Sequence, residues 1–411
     1  MIQARSPDFW RATLALCIGS IMVFSNLYIT QPLLPQVRDY FAIDSLAATW
    51  SLSVTTLALG SCLLLFGPLS DAVGRRVVIL SSLVLLCLTT FVTAFASDYA
   101  LHLVLRALQG VFIAGLPAAA LAYLGEELDP EALLLAVGLY IGANSLGGVS
   151  GRLISGLVAD AWGWQSSFLA LAGFDLLCLL LVFWLLPPSR RFVPKPMRIG
   201  GVLRSLGGHL NNPLILVACL IGGLNFFIFV NQYSYITFRL SSQPYGLSSH
   251  WLGMLFLTYL TGTLAAGFSG RLAKNRSQPG MMGLGILLFM IGTLVTLSHE
   301  LVLIVIGLFI NACGFFLTHS LASGWVARHA VNARGSATSL YLVFYYTGAT
   351  LGGFYFEPFW DKGGWPGVVI ASWLVLSVTF SLSVWLGLRE RRGEAKADLL
   401  PVEPLESGRA G

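Results

Sequence analysis

Among the side chains able to do chemistry that lie inside apolar stretches of this 411-residue chain are Arg106, Arg152, Asp175 and His319. A charge in hydrocarbon costs on the order of 3 kcal/mol, so each of the first three must face a cavity or a partner. Arg106 stands in Arg106-Ala107-Leu108-Gln109-Gly110. Arg152 shares a helical face with Asn144, Gly148, Gly151 and Ser155, where the glycines admit a close neighbour. Two readings of that face stay open: a binding surface, or a packing seam with an arginine that snorkels to the boundary. Asp175 could carry a coupling proton, or pair with Arg152 across the hairpin that joins them. His319 is the intramembrane side chain whose ordinary titration range is closest to neutrality, although a lone histidine can equally be a hydrogen-bonding group. Two arginines against one aspartate leave a positive charge without an evident partner, which an anionic substrate would supply.

The elements that must position these groups are helices in a membrane. Charged residues are 10% of the chain, hydrophobic ones 56%, and mean hydropathy is +0.78, too apolar for a water-soluble protein. Segments of about 20 apolar residues can cross a bilayer. Twelve are predicted, near 12–34, 47–69, 77–96, 101–124, 133–157, 166–186, 213–236, 250–270, 281–298, 301–324, 335–357 and 366–388. All six cysteines fall within them and behave as small apolar residues. The first segment is of full span length and reads as a retained helix rather than a cleaved signal. The expected fold class is an all-α polytopic membrane protein of two six-helix bundles. Its expected divisions are an N-terminal bundle, 1–186, a linker, 187–212, a C-terminal bundle, 213–388, and a disordered tail, 389–411.

Topology follows from charge. Of 24 Lys and Arg, only Arg38, Arg239 and Lys362 fall on the side opposite the termini, and Arg106 and Arg152 lie within spans. Both termini are therefore expected in the cytoplasm, and the basic balance reflects topology rather than nucleic-acid binding. Polar residues in the spans mark a wet interior: Asn26, Tyr28 and Gln31 in span 1, Asn225, Asn231 and Tyr233 in a polar crowd with Gln232 in span 7, Asn311 in span 10, and Tyr341 and Tyr345 in span 11.

The halves repeat. Gly270-Arg271-Leu272-Ala273-Lys274 follows span 8 as Gly67-Pro68-Leu69-Ser70-Asp71 follows span 2, and Asp361 to Trp365 echoes Asp160 to Trp164, at a spacing of about 200 residues. Lys274 stands where the first copy has Asp71 and Ser277 where it has Gly74. Such duplication implies a pseudo-two-fold axis along the membrane normal, with a binding site between the halves. The stretch from Gly67 to Arg76 reads as a tight charged turn, with glycine free to take positive φ. Neither a metal site nor a channel filter is legible, and no cofactor is expected.

Gly67-x-Leu69-x-Asp71-x-x-Gly74-Arg75-Arg76 resembles the loop 2–3 signature of the major facilitator superfamily, and Arg106-x-x-Gln109-Gly110 is similar to the span 4 signature of its proton-linked members. Gln31-Pro32-Leu33-Leu34-Pro35 is similar to the twelve-span drug:H+ antiporter branch, with its efflux permeases the nearest likeness. That resemblance covers all twelve spans. It implies alternating access in the inner membrane of a bacterium by a monomer. The substrate would be a small molecule exchanged for protons, carried in a cavity of spans 1, 4, 7 and 10 that places Asn26, Arg106, Asn225, Asn231 and His319 around it. The alternative is a facilitator or proton symporter of a small organic anion or sugar-like solute. The resemblance also implies that the Gly67, Asp71, Gly74, Arg75, Arg76 loop holds an outward-open state by fixing span 2 against span 11, so that Asp71→Asn shifts the population inward. The chain departs from the branch in span 5, where Gly151-Arg152 replaces Gly-Pro, and in span 1, which has no carboxylate.

Overall fold

The computed structural model describes residues 1–197, 199–274, 276–330 and 334–398, and among these every extended element is a helix. Local chemistry starts most of them in the same way. Ser6, Asp44, Asp98, Asp129 and Asn212 each cap a helix by accepting a backbone N–H, with proline in the first turn after Ser6, Asp129 and Asn212. Span 1 is Pro7–Tyr28, followed by a 3-10 turn, Gln31–Leu33, and a short helix, Leu34–Phe41. Spans 2 and 3 are Ser45–Val73 and Arg75–Thr93. Span 4 is Tyr99–Ile113 continued by Gly115–Glu127. Spans 5 and 6 form one hairpin, Pro130–Leu185, broken at Gly163, whose φ of 82° only glycine adopts without strain.

In the second half, span 7 is Pro213–Ser241 and span 8 runs from Ser249 to Ala273 through a 3-10 segment, Leu255–Thr258. Spans 9 and 10 are Gln278–Val295 and Leu301–His329. Spans 11 and 12 form the hairpin Arg334–Asp398, broken at Gly364 with φ of 53°. The two breaks fall in the repeated Asp160–Trp164 and Asp361–Trp365 segments, so the repeat read in sequence is a repeat of corners. Counting each hairpin as two, the ten long apolar helices among the described residues make the twelve spans.

Two expectations change, and the linker gains a helix. Residues from Gly67 to Val73 are helical, so the turn of the charged stretch is confined to Gly74, where φ is 119°. A helix, Ile199–Leu210, occupies part of the linker, and span 12 continues as helix through Asp398; 399–411 lie outside the described residues. Amphipathic and charged sequence with no long apolar run still helps itself to intrahelical hydrogen bonds when it extends a formed helix, because propagation avoids the cost of nucleation.

One face carries the N-terminus, the Gly74 turn and the start of the linker. Ile2 exchanges backbone bonds with Glu127 and Asp129, the Glu127 carboxylate accepts the N–H groups of Arg190 (2.7 Å) and Arg191 (3.0 Å), and Lys195 N–H donates to the Asp71 carbonyl (2.9 Å). This is the basic face. At the far face, contacts seal the first half to the second: Gln36 to Ser249 (2.9 Å), Arg38 over the Phe238 ring (5.5 Å), Trp50 against Phe354, and Thr56 to Thr350 (3.2 Å).

Candidate functional site

Asp175 sits at one end of a hydrogen-bonded chain inside the first half. Span 1 presents Asn26, whose Nδ2 donates to both Asp175 oxygens at 2.9 Å and to the Met22 carbonyl. The Thr90 hydroxyl of span 3 donates to Asn26 Oδ1 (2.5 Å), and Gln109 Nε2 of span 4 donates to Thr90 (3.1 Å) and Thr93 (3.3 Å). Arg106, one turn away on span 4, closes the chain with a bond to Gln109 Oε1 (2.5 Å). Its other donors go to the carbonyls of Ser51, Asn26 and Leu27 at 2.9–3.1 Å. All of these groups are fully buried. A carboxyl with amide and hydroxyl neighbours but, among the described residues, no cation in contact is unusual in a protein interior, where charges are normally paired.

The second half repeats this node without its ionisable members. Gln232 of span 7 donates to Thr293 (3.1 Å) and Ser372 (2.9 Å), and Asn311 of span 10 donates to Gln232 Oε1 (2.6 Å) and Thr293 (3.1 Å). Spans 7, 9, 10 and 12 thus meet as spans 1, 3, 4 and 6 do. Ser372 takes the place of Asp175, and Leu308 stands three residues before Asn311 as Arg106 stands three before Gln109.

Arg152 does not pair with Asp175. Its Nε and Nη2 both donate to Gln31 Oε1, at 2.8 and 2.5 Å, and Nη1 donates to the Gly148 carbonyl (2.7 Å). Rings surround the guanidinium: Tyr28 at 4.0 Å, and Phe256 and Tyr259 of span 8 at 4.5 and 4.7 Å from their centroids. The side chain is 1% exposed, so it does not snorkel. The packing seam is nevertheless real. A Cβ on Gly151 would collide with the Ser25 backbone, and one on Gly147 with that of Ile21. Span 5 therefore lies directly on span 1, and that rotation points Arg152 at Gln31 and the second half, away from span 6.

The other expected residues divide between cavity and packing roles. His319 Nδ1 meets the Tyr341 hydroxyl at 2.9 Å, and Tyr345 stacks on Phe226 with centroids 3.6 Å apart; His319 and Tyr345 are half-buried. Tyr233 bonds Thr258 (2.7 Å) and the Leu308 carbonyl (3.1 Å). Asn231 donates to the Phe227 and Ala349 carbonyls, tying span 7 to span 11. Asn225 accepts from Thr379 (3.3 Å), and Asn144 accepts from Ser20. In the charged stretch, Arg75 is paired with Asp71 and with Glu126 (2.9 Å) and bonds Ser70 (2.6 Å), while Arg76 donates to the Leu186 carbonyl (3.2 Å). These partners of the loop all belong to the first half.

Thr90, Thr293, Ser372, Phe256 and Tyr259 complete these groups and were not among the sequence candidates, while Gln232 was read only as part of the polar crowd of span 7. The repeat spacing does not single out Gln232, which stands directly after Asn231 in that span. Phe256 and Tyr259 carry no signal in sequence, because aromatic residues in a span are ordinary.

A sequence profile of the Major Facilitator Superfamily matches residues 16–353. The chain is 35% identical over 385 residues to the uncharacterized MFS-type transporter YybF of Bacillus subtilis (strain 168), covering 94% of this chain and 95% of that one. It is 35% identical over 390 residues to the inner membrane transport protein YnfM of Escherichia coli (strain K12), covering 95% and 93%. Among solved structures it is similar to a bacterial homologue of the human lysosomal transporter Spinster in an inward-facing, unoccupied conformation. That similarity has a TM-score of 0.75 at 16% identity, over 93% of this chain and 98% of that one.

Proposed function

The chain belongs to the Major Facilitator Superfamily, as a membrane transporter of a small molecule and not an enzyme, and from that premise we propose that it exports a small organic solute in exchange for protons by alternating access. The observation that carries the coupling is the Asp175 node: a buried carboxyl held by Asn26, with Cys87 and Cys178 beside it and Arg106 reached through Thr90 and Gln109. Two states of that carboxyl ask different things of Asn26. An ionised Asp175 accepts the amide N–H, whereas a protonated one can also donate, so the proton alters how spans 1, 3, 4 and 6 are tied.

We place the basic face in the cytoplasm of a bacterial cell, on the charge asymmetry of the loops. We divide the chain into working halves at 1–186 and 213–388, joined by a linker, and take the monomer as the transporting unit. The far-face contacts then close the periplasmic side in the present conformation, and the half-buried His319 and Tyr345 lie towards the cytoplasmic end of spans 10 and 11. A facilitator or symporter of a small anion or sugar-like solute is the second reading, favoured by the uncompensated Arg152.

Proteoliposomes with an internal pH dye test the coupling. Small acids and sugars are added under an imposed pH gradient, and a transported solute should collapse the gradient, with saturation. In Asp175→Asn the same solute should move without proton flux. Solute movement indifferent to the gradient in the wild type would remove the coupling.

A further inference from the structure

Arg152 is too well partnered for a lipid-facing residue and too poorly partnered for a structural one. A guanidinium offers five N–H donors in one plane. Two converge on a single amide oxygen, Gln31 Oε1, a third goes to Gly148, and the rest have no acceptor among the described residues. The Tyr259 hydroxyl, on a ring 4.7 Å from the same guanidinium, is buried and has no hydrogen-bond partner among the described residues. No carboxylate among the described residues touches the group. Rings cover it on several sides, leaving a charged edge with unfilled donor capacity beside a second unfilled polar group.

Gln31 has a second attachment. Its Nε2 donates to the Val230 carbonyl and to Ser234 Oγ, both at 3.2 Å, on span 7 of the opposite half. One amide therefore neutralises part of the guanidinium's demand with its oxygen and ties the halves together with its nitrogen. A carboxylate is the group that fits a guanidinium edge best, because its two oxygens match two parallel N–H bonds. It could not occupy that edge while Gln31 Oε1 does.

We propose that Arg152 is the seat for the carboxylate of a small organic monoanion, and that Gln31 is its built-in stand-in, displaced when the anion binds and restored when it leaves. The stand-in lets the empty carrier close its far face without stranding a bare guanidinium. Displacement releases the Gln31 bonds to span 7, so occupancy of the seat and the far-face seal compete for one side chain. This rests on the transporter reading and names its substrate class.

Benzoate and its neutral isostere benzamide are the probes, scored by the apparent melting temperature of the full chain in detergent, since a binder of the folded state raises it. Benzoate should raise it in a dose-dependent way and benzamide should not. Arg152→Gln should lose the response. Gln31→Glu should lose it too, because it tethers a carboxylate on the seat. Gln31→Met keeps the bulk but removes the competitor, so its half-maximal benzoate concentration should fall about tenfold, which corresponds to a difference of about 1.4 kcal/mol. A merely structural glutamine would shift that concentration upward or leave it unchanged. Either result in Gln31→Met, or a wild type that does not distinguish benzoate from benzamide, overturns the proposal. If benzoate fails while another solute still collapses the pH gradient in proteoliposomes, the carboxylate seat is lost and the transporter reading stands.

Discussion

At the scale of single residues, the outcome turned on which partner each buried charge found. Sequence alone identified Arg106, Arg152 and Asp175 as the groups needing an explanation, because few charges occur in the spans and each is costly there. It could not say that Asp175 would meet Asn26, 149 positions away, or that Arg152 would meet Gln31, 121 positions away. Those pairings depend on the rotation of each helix about its axis, which is set by contacts that no single span reveals. The Asn26 amide donates to both Asp175 oxygens at 2.9 Å, so its loss should be felt. Asn26→Ala should destabilise the first half by about 1–3 kcal/mol, the cost of a buried polar group left without its donor. Thermal unfolding in detergent checks this, and an unchanged melting temperature would mean that water replaces the amide.

At the scale of elements, the twelve spans were legible because hydrophobic length is a direct physical requirement of the bilayer. The corners at Gly163 and Gly364 were legible through the Asp-to-Trp repeat around them. The end of span 2 was less so. Gly67 and Pro68 suggested a turn, yet the helix runs on to Val73, since a proline near a helix end breaks little beyond its own N–H bond. The small-residue face of span 5, left open in sequence between a binding surface and a packing seam, packs on span 1 and fixes where Arg152 points. Gly151→Val would push a branched side chain into the Ser25 backbone, which cannot yield as a flexible side chain does. Overpacking of this kind costs about 1–3 kcal/mol or more. Span 5 would then rotate or lift from span 1, so Gly151→Val should lower the melting temperature and also lose the benzoate response, whereas Gly138→Val, which meets nothing within 4 Å, should do neither.

At the scale of the molecule, two copies of one polar node divide the labour. The first holds Asp175 and Arg106, the second holds Ser372 and neutral amides, and Arg152 with Gln31 lies where the halves meet. The duplication was visible in sequence; the asymmetry between its copies was visible only once Gln232, Thr293, Asn311 and Ser372 were seen together. The gate follows from the same geometry. In the present conformation the far face is sealed and Arg75 is held by both Asp71 and Glu126. Removing the Asp71 charge leaves Arg75 with Glu126 here, so this conformation loses little. If the loop grips span 11 in the opposite state, that state loses more. Alternating access is the central claim, and inter-label distances in a background with the native cysteines replaced by alanine test it most directly. One spin-label pair, Tyr40→Cys with Gln243→Cys, reports the far face, and another, Val73→Cys with Leu272→Cys, reports the basic face. Two distance populations are expected for each pair, the far-face distance long when the basic-face distance is short, with Asp71→Asn enriching the short far-face population. A single distance at both faces, unmoved by pH or by Asp71→Asn, would contradict the account.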